Sequence, residues 1–530
     1  MRSPRCLLTL LLVCPLLQAQ MPPTWSAEAA LGAAFAKDQT WWGAGIWAAD
    51  KHGPPATLVS SLGMGNALVG SGFSLEAGAK LGAWDFAGRV LLYRNAEGGS
   101  QGSLVQAHAL YKSTGGWTLG LEKEPLVWGY GLNGGYLLGE AARPFPRFRL
   151  ETPSSDWSLF NVPLGTWKGQ LFLGKMESRR VLSEDIQDPS YRSRTIQQYG
   201  EPQGPMLSGF RLEARFGRIE GYANWINLFG GTLDGVGMTQ GYGLKDYLTA
   251  FTGTKDAQAE SDLDLGDPSQ YHKVNDFHNN ARSASNADVG VRVRLDFLEH
   301  LLSAQDVRFY VSRGSKAVNI NYNVAWHRPL YYLGKDLQAM WPPTRAWDRK
   351  YWYYAPGPQV PNDTVGVLLA WSDVRLGLEY LDTVNTANQF ANRPVQYGHR
   401  SFTHGLYRTG FYYYGDPLGS GLGGEARYAT LRGEWDGLPR CTLQTWIQAG
   451  QRPFRDVLAD WSLDHPGKTP VDMRFEGIQQ GLRWQLDPHL KVRAGYSWQH
   501  QNGIENQQGV SGNGFRWYLD CAWTWSRLLK

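Results

Sequence analysis

A repeated alternation of apolar and polar residues limits what this chain can fold into. In Asp288-Val289-Gly290-Val291-Arg292-Val293-Arg294-Leu295-Asp296-Phe297, the valines, Leu295 and Phe297 share one face. Glycine, two arginines and two aspartates share the other. A helix scatters such a pattern around its axis, whereas a pleated strand sorts it onto two sides. The pattern returns in Leu490–Trp498 and Phe515–Trp523, and more weakly in Val374–Tyr380 and Phe210–Phe216. Gly217-Arg218 follows the last of these as a short hairpin turn into Ile219.

Alternating strands fit either a soluble sandwich or a membrane barrel. Three features favour the barrel. The strand segments run to roughly ten residues, enough for a tilted strand to cross a bilayer. Tyr496, Trp498, Trp523 and Trp525 crowd strand ends, as an interfacial girdle requires. A closed ring also leaves no edge open to aggregation. The expected fold is therefore all-β: a transmembrane antiparallel β-barrel with short periplasmic turns and long extracellular loops. At roughly 30 residues per strand and connection, the length predicts about 18 strands. Long connections are expected over 176–206, 229–286, 312–366 and 382–424.

The N-terminus reads as an export signal. Arg2 and Arg5 precede the largely apolar run Leu7–Leu17, and Gln18-Ala19-Gln20 follows, so residues 1–19 are expected to be cleaved. Residues 20–70 are read as either a periplasmic plug or the first strand with its approach, and 71–530 as the barrel. Cys441 and Cys521 remain after cleavage. Two cysteines are no disulfide framework, and their pairing stays open. Beyond the first twenty residues no apolar run reaches helix-spanning length, which excludes a polytopic helical membrane protein. With 52 basic and 48 acidic residues, a net charge of +4 gives no bulk attraction to nucleic acid.

Catalytic motifs do not emerge. There is no G-x-S-x-G elbow and no HExxH pair, and the eleven histidines are dispersed. Asp262-Leu263-Asp264-Leu265-Gly266-Asp267 approaches a calcium loop, but Lys273 stands where the bidentate glutamate belongs. Gly129–Gly135 lacks a phosphate-loop lysine and reads as turn chemistry. The chain is not expected to be an enzyme, and no cofactor or metal is called for.

Binding signals are stronger. The 312–366 connection holds Trp341, Trp347, Tyr351, Trp352, Tyr353 and Tyr354 with Arg345 and Arg349. Flat rings with polar tips suit the apolar faces of sugars, and guanidinium groups suit uronate or phosphate. Packing of the loop against the barrel rim explains the rings equally well. A second set, Arg143, Arg147, Arg149, Arg179 and Arg180, is a candidate for a lumenal anion path. A ladder satisfied by lumenal carboxylates is the competing explanation.

Several segments, taken in order, resemble the capsule-assembly Wzi family of outer-membrane proteins. They are Trp128-Gly129-Tyr130-Gly131 through Glu140–Pro146, Leu171–Arg179, and Leu207–Leu212 leading to Asn227–Gly231. Gly377–Thr383 and His404–Arg408 through Asp416–Gly419 and Gly423-Gly424-Glu425 follow. The resemblance implies an eighteen-stranded outer-membrane barrel of a Gram-negative bacterium. It implies lectin-like binding of exported capsular or extracellular polysaccharide, assembling or anchoring it at the cell surface without catalysis. The expected partners are an acidic polysaccharide, outer-membrane lipids and the barrel-insertion machinery, with the protein a monomer. The alternative function is an outer-membrane porin or polysaccharide-export channel.

Overall fold

A computed structural model describes residues 24–37, 70–95, 100–132, 134–139, 144–159, 162–178, 180, 202–233, 236–237, 244–252, 283–316, 362–382, 411–413, 416–419, 427–452, 473–502 and 511–528. The leader expected at 1–19 lies outside these residues.

The strands are β1 (Thr24–Lys37), β2 (Gly70–Leu81), β3 (Trp84–Asn95), β4 (Ser100–Lys112), β5 (Thr118–Lys123) and β6 (Arg147–Glu151). Next come β7 (Ser155–Leu159), β8 (Val162–Lys175), β9 (Met206–Phe216), β10 (Ile219–Phe229), β11 (Thr232–Leu233), β12 (Val236–Gly237), β13 (Ser283–Arg294) and β14 (Asp306–Lys316). The rest are β15 (Asn362–Ala370), β16 (Val374–Asp382), β17 (Tyr412–Tyr413), β18 (Asp416–Pro417), β19 (Arg427–Leu438), β20 (Cys441–Arg452), β21 (Met473–Gln485), β22 (Leu490–Asn502) and β23 (Ser511–Leu528). Two helices are described, α1 (Leu244–Thr252) and α2 (Asp296–Leu302).

Every pairing in the main sheet is antiparallel, and each stave bonds to its sequence neighbours. β6 and β7 lie end to end against β8 and form one stave. The two-stranded β11–β12 and β17–β18 stand apart. β1 pairs with β23 from Thr24↔Leu528 to Lys37↔Phe515, which closes the sheet into a barrel of 18 staves among the described residues. The first stave thus starts at Thr24, within the segment whose role the sequence left open.

The connections sort by end. Two residues join β2 to β3, β7 to β8, β9 to β10 and β19 to β20, and Gly217 takes a left-handed φ of 58° in its turn. The termini of the ring lie at this same short-turn end. The opposite end carries 176–205, 230–282, 317–361 and 383–426, close to the four long connections expected. It also carries 38–69, 124–146 and 453–472, which were not expected as loops.

The cylinder is inside-out. Val289 and Val291, 55% and 43% exposed, face outward with Leu376, Leu378, Leu431 and Ile447, while Asp288, Glu379, Thr430 and Gln448 are buried towards the lumen. Trp117, Trp167, Phe216, Trp435, Trp484 and Trp523 form an outward aromatic belt near the short-turn end, where amphipathic rings suit a membrane interface. No described helix is long and apolar enough to cross a membrane.

One expected strand is shorter than its pattern. The stretch 288–297 is a strand only to Arg294; Phe297 belongs to α2, although it too is exposed. Asp296 and Glu299 sit in the first turn of this helix, where acidic groups favour the helix dipole, and Ser303 ends it with φ 50°. Cys441 and Cys521 are free thiols. They stand on β20 and β23, three staves apart, so about 14 Å of sheet separates them.

Candidate functional site

The connection from β5 to β6 folds back into the barrel. Its residues Leu-Val-Trp-Gly-Tyr-Gly-Leu at 126–132 and Gly-Gly-Tyr-Leu-Leu-Gly at 134–139 lack charge and are rich in apolar groups, unlike a solvated surface loop. The Trp128 amide donates to the Leu138 carbonyl (2.9 Å) and the Gly134 amide to the Gly131 carbonyl (3.0 Å), a tight internal hairpin. Trp128, Leu137 and Leu138 are buried against Phe172, Leu207, Ile226 and Leu228 of the near wall, and the Trp128 indole donates to Gln170 Oε1 (2.8 Å). Phe411, Tyr413 and Leu418 complete this apolar knot from the β16–β19 connection, and the Gly139 amide donates to the Leu418 carbonyl (2.7 Å).

The tip of the segment reaches the far side. The Leu132 amide donates to Glu379 Oε2 of β16 (2.7 Å), and the Tyr310 hydroxyl of β14 donates to the same oxygen (2.7 Å). β16 lies eight staves from β5 in a ring of eighteen, so the segment spans the lumen almost along a diameter. Glycines make the docking possible: a Cβ at Gly314 would overlap the Tyr136 ring, and one at Gly377 would overlap the Leu132 side chain. The Tyr136 hydroxyl is met by the Asn286 amide at 3.4 Å. Tyr130 stacks edge-on to Tyr222 (4.9 Å) and lies under the Arg292 guanidinium (4.3 Å). Burial pushes the Tyr130 hydroxyl up to about 12, so it stays a neutral group at physiological pH.

Towards the short-turn end the lumen wall becomes ionic. Glu122 takes Arg147 Nε at 2.7 Å and Arg149 Nη1 at 3.2 Å. Glu151 takes Arg149 and Lys168, giving a ladder across β5, β6 and β8. Arg292 donates to Glu220 (2.8 Å), and Arg294 makes a two-pronged contact with Glu299 (2.7 and 2.9 Å).

The structure brings two of the anticipated lumenal arginines together. Arg147 and Arg149 lie side by side on the ladder, their charge met by Glu122 and Glu151. Arg180 is buried beyond β8 beside Glu177, at 3.5 Å. Arg143 and Arg179 lie outside the described residues. So do all the aromatic-loop candidates: Trp341, Trp347, Tyr351, Trp352, Tyr353, Tyr354, Arg345 and Arg349.

Sequence reasoning missed the lumen-crossing segment, taking Gly129–Gly135 for a turn. The available signal was its composition, because an apolar, glycine-rich connection between polar-faced strands has nowhere to go but inward. It also missed α1, whose Phe251 carbonyl accepts from Ser208 Oγ (2.9 Å) near the loop-end mouth. Leu244, Tyr247 and Leu248 of this helix are exposed.

The closed ring and outward apolar belt are those of an outer-membrane barrel. Among solved structures the chain is similar to Wzi of Escherichia coli, an outer-membrane protein involved in group 1 capsule assembly and a carbohydrate-binding β-barrel. That likeness has 15% identity and a TM-score of 0.56, covering 93% of this chain and 83% of the other. The chain is also similar to OprD of Pseudomonas aeruginosa (9% identity, TM-score 0.46, 96% of each chain). OpdQ of the same species follows at 9% identity and a TM-score of 0.43, over 95% of this chain and 97% of that one. No family model and no curated protein matches the chain.

Proposed function

We propose that this outer-membrane barrel binds an exported acidic polysaccharide and holds it at the cell surface without catalysis. The carrying observation is the lumen-crossing segment: a chain docked from β5 onto Glu379 and Tyr310 of the opposite wall obstructs an open pore. A barrel obstructed at its loop end works on its ligand from outside, through loops and their rings. The exposed Tyr247 of α1 stands at that end. The aromatic run at 341–354 and its arginines supply further stacking and charge-pairing groups. The similarity to Wzi, itself carbohydrate-binding, is consistent with this role. Each stacked ring adds only about 1 kcal/mol beyond area burial, so retention of a long polymer relies on many contacts acting together.

A second reading is a porin or polysaccharide-export channel, favoured by the ionic wall of the short-turn half. Deleting residues 341–354 separates the two. Release of surface polysaccharide from cells whose barrel still inserts is the expected result. Unchanged retention, together with steady conductance of the purified barrel in planar bilayers, overturns the binding role in favour of the channel.

A further inference from the structure

The short-turn half of the lumen is not evenly matched in charge. In that half β21 and β22 carry Arg483, Lys491 and Arg493, and the one acidic residue of β20, β21 and β22 is Glu476. Glu476 falls on the opposite alternation from Phe475, Gln479 and Arg483, hence on the outward face. Three consecutive staves therefore offer the lumen cations and amides but no carboxylate. Their short-turn ends, with that of β19, enclose a cavity of ≈490 Å3 lined by Arg440, Arg483, Lys491 and Arg493, with Asp436 and Thr442. Asp436 is held by Arg375 from β16 and by the Thr442 hydroxyl. Arg483 stands opposite Arg493 in register, and Gln485 opposite Lys491. Asp520 of β23 stands in register on the far side of Arg493. Like charges directly opposite each other weaken a sheet unless negative charge lies between or beside them. On other walls arginines stand within ion-pair distance of carboxylates, as with Arg292–Glu220 and Arg308–Asp306.

We infer that this cavity is a binding site for the oxyanion, carboxylate or phosphate, of a hexose-sized ligand entering from the short-turn mouth. The volume falls in the usual range for a small-molecule site. Planar guanidinium groups on neighbouring staves can grip both oxygens of a carboxylate, with Lys491 as a mobile third charge. The cavity lies at the opposite mouth from the surface loops, so this site stands independently of the glycan-retention reading.

Calorimetric titration of the intact barrel in non-ionic detergent tests it with four probes: glucuronate, glucose 6-phosphate, inorganic phosphate and glucose. Saturable binding of glucuronate or glucose 6-phosphate is expected, with none for glucose. Arg483→Gln with Lys491→Gln should weaken that binding at least about tenfold, while Arg308→Gln on the matched wall leaves it unchanged. Heat-induced mobility shift on gels identifies folded barrel. If the double variant fails to fold, Lys491→Gln alone carries the test, because it preserves the Arg483–Thr442 hydrogen bond at 3.2 Å. The proposal is overturned if neither sugar anion binds, if glucose binds equally, or if the folded variant binds like the parent. Binding of inorganic phosphate alone also overturns it, leaving a bare-ion site.

Discussion

The two halves of the lumen solve the same problem in opposite ways. Both are enclosed by inward-facing polar positions of one continuous sheet. At the loop end, the 124–146 segment returns and fills the space with Trp128, Leu137, Leu138 and Phe145. At the short-turn end no described segment fills the space in this way, and along β6, β8, β10 and β13 basic side chains face carboxylates instead. What occupies the lumen, rather than strand pattern, therefore decides its chemistry: glycines and apolar groups where chain docks, ion pairs where none does. Arg147 sits at the boundary, with Glu122 on one side and the Phe145 ring 5.2 Å away on the other.

The largest test of this contrast is Glu379→Ala. It removes the acceptor shared by Leu132 and Tyr310, leaving two buried donors unpaired at a cost of about 4 kcal/mol. The segment should detach from the far wall, and purified barrels should gain conductance that Glu379→Gln largely suppresses. An unaltered electrical record would mean the segment is not pinned there. Arg147→Ala comes next, at about 3 kcal/mol, since Glu122 keeps only Arg149 as a charge partner. A lowered unfolding midpoint in detergent is the readout, and an unchanged midpoint would show that the boundary pair contributes no net stability. Gly314→Val then asks whether close approach matters. Overpacking against Tyr136 should destabilise by about 2 kcal/mol and loosen the knot, read as faster proteolysis within 124–146.

The smallest effect lies at the short-turn rim. Hydrogen bonds from Arg294 hold the Glu299 carboxyl below its ordinary 4.5. Its contribution is therefore complete above that ordinary value and fades as pH falls through the depressed one. Glu299→Gln should lower the melting temperature slightly at neutral pH, and the difference should vanish in acid. A difference that persisted in acid would assign the effect to shape rather than charge.

The barrel was readable from residues because lipid and lumen impose opposite demands on successive side chains. Val289, Val291 and Asp288 show it within four positions. Where the demand lapses, so does legibility. Beyond Arg294 the polypeptide leaves the sheet, yet Leu295-Asp296-Phe297 continues the alternation by chance while α2 forms. The lumenal knot was hidden for a different reason. Its partners Leu132, Tyr310 and Glu379 are far apart in sequence, and their meeting depends on the diameter of the closed ring. Arg147 and Arg149 were noticed as cations, but only the pairing of β5 with β6 reveals that Glu122 is waiting beside them.

The seam between β1 and β23 has a bearing on biogenesis. Fourteen residues of the opening stave pair along their outer edge with the closing one. A nascent polypeptide emerging N-terminus first holds Thr24–Lys37 long before its mate is synthesised, so the ring cannot seal during translation. Until then both outer staves expose unsatisfied amides and carbonyls, the arrangement most prone to joining a stranger's sheet. Productive assembly thus demands that something shield those margins until the tail arrives.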